Sequence, residues 1–192
     1  ELLKDQFKDN PSVLNDLDKI IHSAIFSREV VKKLMFFSCD MPQQMELRNM
    51  VPIIKDAIGL LNPNFKKKEL HCHLDISKDK IMLRVDAIQL TQVIFNLVIN
   101  AIYFSPKQGK ITVMVKDTES QVILKISDEG PGIQKKDFDH VFNPFFTTKP
   151  VGEGSGLGLS VVHGIVKSHK GSIKFEPNQP KGTIFTITLP KN

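Results

Sequence analysis

A run of alternating glycines that leads directly into a helical pattern restricts the fold of this chain more than any other feature. Glycine occupies every second position over Gly152–Leu159, and apolar residues continue at helical spacing over Leu157–Ser168. Free amides and the helix dipole at such a junction can surround a phosphate group. The spacing fits neither the dinucleotide-binding fingerprint nor a P-loop, because no strand precedes it and no Gly-Lys-Ser/Thr occurs within it. The run therefore predicts a different phosphate-binding architecture, with a flexible linker as the alternative.

Apolar periodicity predicts a mixed α+β domain over residues 41–192. The predicted helices are Asn49 to about Leu61, Asp86–Phe104 and Leu157–Ser168, with Asn62-Pro63-Asn64 stopping the first. The predicted strands are Glu69–Ile76, Ile81–Val85, Lys110–Lys116, Val122–Ser127, Ser172–Glu176 and Thr183–Leu189. The strands are expected to be mostly antiparallel with helices on one face, which is a two-layer α/β sandwich.

Residues 1–40 are expected to form a separate helical unit. From Val13 to Ser38, a 3,4 spacing places apolar residues on one seam, interrupted only by Arg28: Leu14, Leu17, Ile21, Ala24, Val31 and Met35. A helix with such a seam needs a partner. Glu1–Lys8 is interpreted as the end of a preceding helix, which gives a partial hairpin that ends at Asp40-Met41-Pro42.

Two polar motifs precede the glycine run. Gln92, Asn96 and Asn100 recur every four residues and so share one helix face, where amide oxygens suit a hydrated Mg²⁺ or a buried hydrogen-bond network. Asp128-Glu129-Gly130-Pro131-Gly132-Ile133 follows a strand. Its carboxylate can accept a hydrogen bond from an exocyclic amine and its glycines allow close approach, although an ordinary turn has the same composition.

A third motif, Phe142–Lys149, places aromatic residues in a proline-punctuated loop. The aromatics can anchor a mobile lid, with Lys149 reaching a phosphate. A small packed surface loop is the alternative.

Together and in this order, the four motifs resemble the N, G1, F and G2 boxes of the ATP-binding domain of sensor histidine kinases. That family shares a superfamily with gyrase, MutL and the ninety-kilodalton heat-shock chaperones. Asp86–Ala101 resembles its approach to the N box, Gly182–Pro190 its closing strand, and Leu14–Ser38 the second helix of its dimerisation hairpin. The resemblance covers nearly the whole chain, and the order of the boxes makes it specific.

The resemblance implies a role for each matching residue. Asn100 would coordinate Mg²⁺ with Gln92 close by, and Asn96 and Lys149 would act at the phosphates as the catalytic pair. The phosphate loop would comprise Gly154, Ser155, Gly156, Leu157 and Gly158. The adenine wall and the lid would comprise Asp128, Gly130, Gly132, Thr183, Phe145 and Phe146. Asp128 would bind the adenine amino group, and Thr183 would support it.

The chain departs from the family pattern at four places. Tyr103 stands where many relatives carry a basic residue, Ser155 replaces a threonine, and Lys170 replaces a glycine. No histidine lies in the phosphoacceptor's His-acidic-x-x-x-Pro context.

The histidines have other interpretations. His22 is interpreted as flanking the helix bundle, and His71 and His73 as facing solvent on a strand. Three more, none interpreted as an acceptor, are His140, His163 and His169.

Composition excludes several classes of function. The net charge of +5 suits an anionic partner, but basic and aromatic residues do not interleave as in single-strand binders, so no nucleic acid is expected. The basic run Lys66–Lys68 is interpreted as a solvated face. Cys39 and Cys72 lack zinc or disulfide spacing and fit a reduced compartment. No apolar run is expected to reach the ~18–20 residues of a membrane span.

The resemblance implies a kinase that moves the γ-phosphoryl of ATP to a histidine, using Mg²⁺. It implies a homodimer through the hairpin, a response regulator receiver domain as partner, and a cytoplasmic location, with room for an upstream sensor or membrane domain. The chain begins without a signal peptide and is expected to be a fragment that binds ATP without phosphorylating itself. An anti-sigma-type serine kinase is disfavoured by the seam, and a decayed nucleotide-sensing module by the intact Asn100 and Asp128.

Overall fold

The computed structural model describes residues 7, 12–21, 24, 44–150 and 152–191. Residues 12–21 are helical, as the seam predicts, and Asp16 pairs with Lys19 at 3.1 Å. On this segment Leu14, Leu17 and Ile21 are half-buried. Ala24 is exposed, Val31 and Met35 of the predicted seam lie outside the described residues, and so does Glu1–Lys8 except Phe7. The hairpin therefore stays a prediction.

A five-stranded sheet forms one layer of the domain, in the order β2-β4-β5-β7-β6. Strands β2 and β4 are parallel, and every other neighbouring pair is antiparallel. A separate antiparallel ribbon joins β1 to β3, with Glu46 opposite Val85. The strands are β1 (Glu46–Asn49), β2 (His71–Ile76), β3 (Met82–Val85), β4 (Lys110–Asp117), β5 (Gln121–Ser127), β6 (Ser172–Pro177) and β7 (Thr183–Pro190). Every predicted strand is present, and β1 was not predicted.

Helices form the second layer. They are α1 (Met50–Leu60), α2 (Asn62–Lys67), α3 (Ala87–Phe104) and α4 (Gly158–Ser168), with a short 3₁₀ helix at Lys135–Asp137. The side chain of Asn49 caps α1 by accepting from the amide of Val51. The first predicted helix ends at Leu60, as expected from Asn62-Pro63-Asn64, but these residues themselves begin a short helix, α2, that was not predicted. Pro63 lies in its first turn, where the missing amide hydrogen costs nothing.

The core lies between the sheet and the helices, with α3 packed against both α1 and α4. Alternate residues of β4, β5 and β7 face this core, including Val113, Leu124 and Ile187. On the opposite face of the sheet, His71 and His73 are exposed as predicted. The α+β sandwich predicted from periodicity is confirmed.

Helix α3 is long and apolar enough to cross a membrane when judged by length and composition alone. The expectation that no apolar segment reaches such a length was therefore wrong. Its apolar residues are those of a core helix, since Ile94, Leu97 and Val98 are fully buried against the sheet and the other helices. Length and hydropathy do not distinguish such a helix from a membrane span.

Side chains from other elements fix both ends of α3. At its start, His169 of the α4 C-cap accepts the amide of Asp86 on Nε2 at 3.1 Å, so its hydrogen is on Nδ1, which donates to the carbonyl of Ile165 at 2.8 Å. At its end, the Lys68 ammonium donates to the carbonyls of Ile102 and Tyr103 at 2.8 and 2.6 Å. The interpretation of Lys66–Lys68 as solvated therefore fails at Lys68, which is half-buried.

Candidate functional site

The predicted amide face of α3 (Gln92, Asn96 and Asn100) is present on a single continuous helix, and all three side chains are half-buried. Phe104 follows Asn100 by four residues and so continues the same face. Three other parts of the chain meet this face at successive turns. Their contacts define the candidate site.

The N-terminus of α4 meets the face at Asn96. A side-chain carbon added at Gly158, the first residue of α4, would lie 3.6 Å from Asn96 Oδ1. The α4 N-terminus has no side-chain cap and no acidic residue in its first turn. Among the described residues, the amides of Gly158, Leu159 and Ser160 have no hydrogen-bond acceptor. Helix-terminal amides with this orientation favour an anion beside Asn96.

Lys149 meets the face one turn further along. Its ammonium donates to Asn100 Oδ1 at 3.1 Å and lies 4.2 Å from the centre of the Tyr103 ring. The Tyr103 hydroxyl donates to the carboxylate of Glu153. Lys149 and Glu153 belong to the loop between the 3₁₀ helix and Gly154, which we call the lid (residues 142–150, 152 and 153).

Asp128 lies at the end of β5, where it is 6% exposed. Its Oδ1 accepts the amides of Gly130 at 2.8 Å and Thr183 at 3.2 Å. Among the described residues, Oδ2 has no hydrogen-bond partner. Burial raises the pKa of Asp128 above its ordinary range, and the two amide bonds oppose that effect. The site therefore holds a carboxyl group with one oxygen fixed and the other available to a ligand.

The Asp128 loop packs against the end of α3. A side-chain carbon at Gly130 would lie 3.0 Å from the carbonyl oxygen of Phe104. Asp128, Asn100 and Asn96 thus lie along one strip of contacting elements, from the end of β5 along α3 to the start of α4. The structure brings these predicted site residues together, with Thr183 and Gly130 as backbone donors to Asp128.

The lid contacts the core through an aromatic residue other than those predicted to line the site. Phe142 stacks against His163 and Phe175, with ring centres 5.3 and 5.9 Å apart, and packs on the core. Phe145 is 58% exposed and has φ +66°, while Phe146 is half-buried beside His140. The anchoring of the lid by an aromatic was predicted, but the choice among adjacent phenylalanines depends on tertiary packing.

The glycine loop packs closely on the lid. Gly156 has φ +68°, and any side chain there would overlap the backbone of Phe145. Gly154 lies against the side chains of Lys149 and Thr147. Ser155 Oγ accepts the amide of Leu157 at 3.4 Å, just before α4 begins. The phosphate loop predicted from Gly154 to Gly158 therefore lies between the lid and Asn96.

A cleft of about 280 Å³ adjoins the Asp128 wall. Its lining includes Gly132 and Thr183, with an apolar floor of Ile133, Phe138 and Phe175. None of the α3 amides lines this cleft. It opens beside the strip and does not contain it.

The residues present fit a magnesium ion that is shared with phosphates. In the described part of the chain, no three His, Cys, Asp or Glu side chains form a cluster that would hold a metal alone. Asn100 Oδ1 already accepts a cationic donor, the Lys149 ammonium. Mg²⁺ prefers oxygen ligands and keeps several waters, so an amide oxygen combined with phosphate oxygens is a suitable ligand set.

Comparison with known proteins identifies this combination of fold and site. Residues 85–192 match the family model for the histidine kinase-, DNA gyrase B- and HSP90-like ATPases. The catalytic domain of the histidine kinase ThkA superimposes with a TM-score of 0.71 at 30% identity, over 77% of this chain and 96% of that domain. The chain belongs to the histidine kinase-, DNA gyrase B- and HSP90-like ATPase family.

Within that family, the chain is an ATP-binding catalytic domain of the sensor histidine kinase type. The sensor histidine kinase ZraS of Salmonella typhi is 36% identical over 143 residues, which are 74% of this chain and 30% of ZraS. ThkA in complex with the response regulator protein TrrA gives a TM-score of 0.78 at 26% identity, over 95% of this chain and 53% of that one. The chain spans about 30% of the length of the ZraS relatives that it matches.

Several residues that shape the site were not found from the sequence as site residues. Lys68 and His169 hold α3 in place, and Tyr103 contacts both Glu153 and Lys149. Of these residues, only Tyr103 was marked by the sequence, because it departs from the family pattern. The other contacts join residues 34 to 83 positions apart in sequence, which periodicity does not report.

Proposed function

We propose that this chain binds Mg·ATP along the strip between α3, Asp128 and α4, and that it transfers the γ-phosphoryl group to a histidine. The observation that supports this most directly is the order of contacts on one helix face. Asn96 lies beside the α4 N-terminal amides, which have no acceptor among the described residues, and Asn100 accepts a hydrogen bond from the Lys149 ammonium. Phe104 contacts the loop that follows Asp128, a carboxyl group with one oxygen hydrogen-bonded and the other, in the described part of the chain, without a partner. An acceptor for an amine lies at one end of the strip and donors for phosphates at the other.

The adenine would bind at the Asp128 end. Oδ2 would accept a hydrogen from the exocyclic amine, while Gly130 and Thr183 hold Oδ1. Gly132 would border the ring. A guanine presents a carbonyl oxygen at the same position, so a carboxylate there favours adenine.

The phosphates would bind between Asn96, the α4 amides and Lys149. Asn100 would be the direct magnesium ligand. Gln92 lies two helical turns away, about 12 Å of rise, so it would act on the same ion only indirectly, through a chain of ordered waters. The bound ion would neutralise charge on the phosphates. Catalysis of phosphoryl transfer depends chiefly on such positioning and charge neutralisation.

The domain division and the partners follow from the proposed kinase. Residues 1–40 would form part of a dimerisation hairpin, and residues 41–192 the catalytic domain. The homodimer would form through the hairpin, and a response regulator would receive the phosphoryl group, as the ThkA–TrrA complex illustrates for another kinase. The domain would act in the cytoplasm, and an upstream sensor or membrane domain is compatible with the partial coverage of ZraS.

Calorimetry with Mg·ATP tests the nucleotide site. Asn100→Ala should lower the affinity for Mg·ATP at least tenfold and should lose most of the difference between magnesium and EDTA buffers. The matched control is Asn64→Ala, an exposed asparagine of α2, which should bind as the wild type does. Equal affinities of Asn100→Ala and wild type would defeat the assignment.

Transfer is tested separately, in the full-length protein with γ-labelled ATP. The wild type and Asn64→Ala should acquire an acid-labile, base-stable phosphate, and Asn100→Ala should not. An acid-stable phosphoester would instead support the serine-kinase alternative. Mg·ATP binding without any labelled protein would support a nucleotide-sensing module.

A further inference from the structure

Two residues of the lid contact one aromatic side chain of α3. The Lys149 ammonium lies over the Tyr103 ring, 4.2 Å from its centre, and Glu153 accepts a hydrogen bond from the Tyr103 hydroxyl. The Phe104 ring packs edge-on against Tyr103, with centres 5.0 Å apart. The phenol is thus held at its hydroxyl and packed against the neighbouring ring, and its face is presented to the lysine.

This arrangement places the ammonium beside the amide face. Tyr103 follows Asn100 by three residues, so the two side chains are neighbours on the surface of α3. Lys149 contacts both, since its Nζ also donates to Asn100 Oδ1 at 3.1 Å. A lysine on a loop samples many rotamers, and an aromatic face is a platform that limits them.

We propose that Tyr103 is a positioning residue, whose ring presents the Lys149 ammonium to the phosphates of the bound nucleotide while Glu153 holds the ring in place. The inference rests on the proposed function, in which Lys149 binds phosphates. It assigns to Tyr103 an action through the lysine, with no contact of its own to the nucleotide. Glu153 carries the negative charge that keeps the phenol oriented from the side of the lid.

The chemistry of the phenol agrees with this contact. Glu153 raises the pKa of Tyr103 above its ordinary range, because its carboxylate accepts the phenolic hydrogen and its charge disfavours the phenolate. Tyr103 is the only tyrosine in the chain, which has no tryptophan. Its absorbance and fluorescence therefore report on this one contact without labelling.

A double-mutant cycle tests the coupling to Lys149. Tyr103→Leu should lower the affinity for Mg·ATP roughly three- to tenfold, the range expected from losing a cation–π contact. In a Lys149→Met background the same substitution should have almost no effect. Tyr103→Phe keeps the ring but loses the Glu153 contact, so its loss of affinity should be clearly smaller than that of Tyr103→Leu.

Adenosine separates positioning from a general structural effect. It lacks phosphates, so Tyr103→Leu should leave adenosine affinity unchanged, whereas damage to the fold would weaken adenosine and ATP alike. The inference would be overturned by any of three results. The losses of Tyr103→Leu and Lys149→Met could add in the double variant, Tyr103→Leu could weaken adenosine binding as much as ATP binding, or Tyr103→Phe could lose as much ATP affinity as Tyr103→Leu. Those results leave wild-type ATP binding intact, whereas failure of the wild type to bind Mg·ATP would defeat the proposed function itself.

Titration of the single tyrosine tests the Glu153 contact. The phenolate absorbance should appear at lower pH in Glu153→Gln than in the wild type. Glu119→Gln, an exposed residue between β4 and β5, is the control and should titrate like the wild type. Identical titrations for all three proteins would contradict the contact on which the inference depends.

Discussion

The amide of Thr183 donates to Oδ1 of Asp128 at 3.2 Å, and the carbonyl of Thr183 accepts the Asp128 amide at 2.9 Å. This reciprocal pair joins the end of β5 to the start of β7 and fixes the carboxyl group of the proposed adenine site. Gly182 makes the pairing possible, because it brings its backbone against the Asp128 carbonyl. The rigidity of the site therefore depends on strand pairing as well as on the side chain itself.

Gly182→Ala should destabilise the domain by at least about 2 kcal/mol. Gly182 has φ +120°, which residues with a side chain avoid, and a carbon added there would overlap the Asp128 carbonyl oxygen. Gly59→Ala is the matched control, since Gly59 lies in α1 with nothing within 4 Å of the added carbon. Alanine there should stabilise by up to about 1 kcal/mol. Urea denaturation measures both, and shifts of the same sign would contradict the account.

Lys170→Gly should stabilise the domain by about 1 kcal/mol, the cost of a left-handed conformation for a residue with a side chain. Lys170 follows the α4 C-cap with φ +56°, and the amides of Lys170 and Gly171 donate back to Lys167 and Val166. The departure from glycine at this position therefore carries backbone strain. Lys167→Gly, within the last turn, should destabilise by about 0.5–1 kcal/mol. Thermal melts of the two variants should move in opposite directions.

Lys68→Met should destabilise the domain by about 1–2 kcal/mol, because it removes a charged donor from two carbonyls at the end of α3. The methionine keeps the length of the side chain, so the loss measures the ammonium. Lys66→Met and Lys67→Met alter exposed residues of the same run and should stay within about 0.5 kcal/mol of the wild type. Comparable losses of stability in all three variants would show that the hydrogen bonds from Lys68 to the end of α3 do not stabilise the domain.

Asp117 should make stability depend on pH. Hydrogen bonds from Lys191 at 2.5 Å and Lys78 at 2.7 Å lower the pKa of Asp117. A lowered folded pKa gives stability that is complete above the unfolded value, about 3.9, and is lost as pH falls through the folded value. Asp117→Asn should therefore cost about 0.5–1 kcal/mol near neutral pH, since both lysines are partly exposed, and almost nothing in strong acid.

Asp128 should show the opposite dependence on pH. Its pKa is raised by burial, so the folded state binds the proton more readily than the unfolded state. Stability should then fall as pH rises from about 3.9 through the raised value. Asp128→Asn should remove this fall, and urea denaturation across that range would detect it. The pH dependence of stability, taken as variant minus wild type, should have opposite signs for Asp117→Asn and Asp128→Asn. The same sign for both would contradict the environments assigned to the two carboxyl groups.

Periodicity predicted most of the fold because strands β2 and β4–β7 and helices α1, α3 and α4 each bury one face. It missed α2, because Pro63 was taken as a stop where it occupies a first turn. It also missed β1, which lies between the end of the predicted hairpin and the first predicted helix.

The candidate site was predictable where a single element carries it. The spacing on α3 placed Asn96 and Asn100 together, and the glycine run marked the start of α4. The contacts of Lys149 were less accessible to sequence reasoning, because they depend on how the lid folds back over α3. The same is true of the choice of Phe142 over Phe145 as the aromatic that contacts the core.

The most direct test of the nucleotide site is the affinity of Asp128→Asn for Mg·ATP and Mg·GTP, measured by calorimetry beside Asp117→Asn. Asparagine retains the acceptor for Gly130 and Thr183 but places a donor where the adenine amine would bind. The account predicts that Asp128→Asn loses at least tenfold in ATP affinity, loses its preference for ATP over GTP, and melts no lower than the wild type. Asp117→Asn should bind both nucleotides as the wild type does. Unchanged ATP affinity in a folded Asp128→Asn variant would contradict the account.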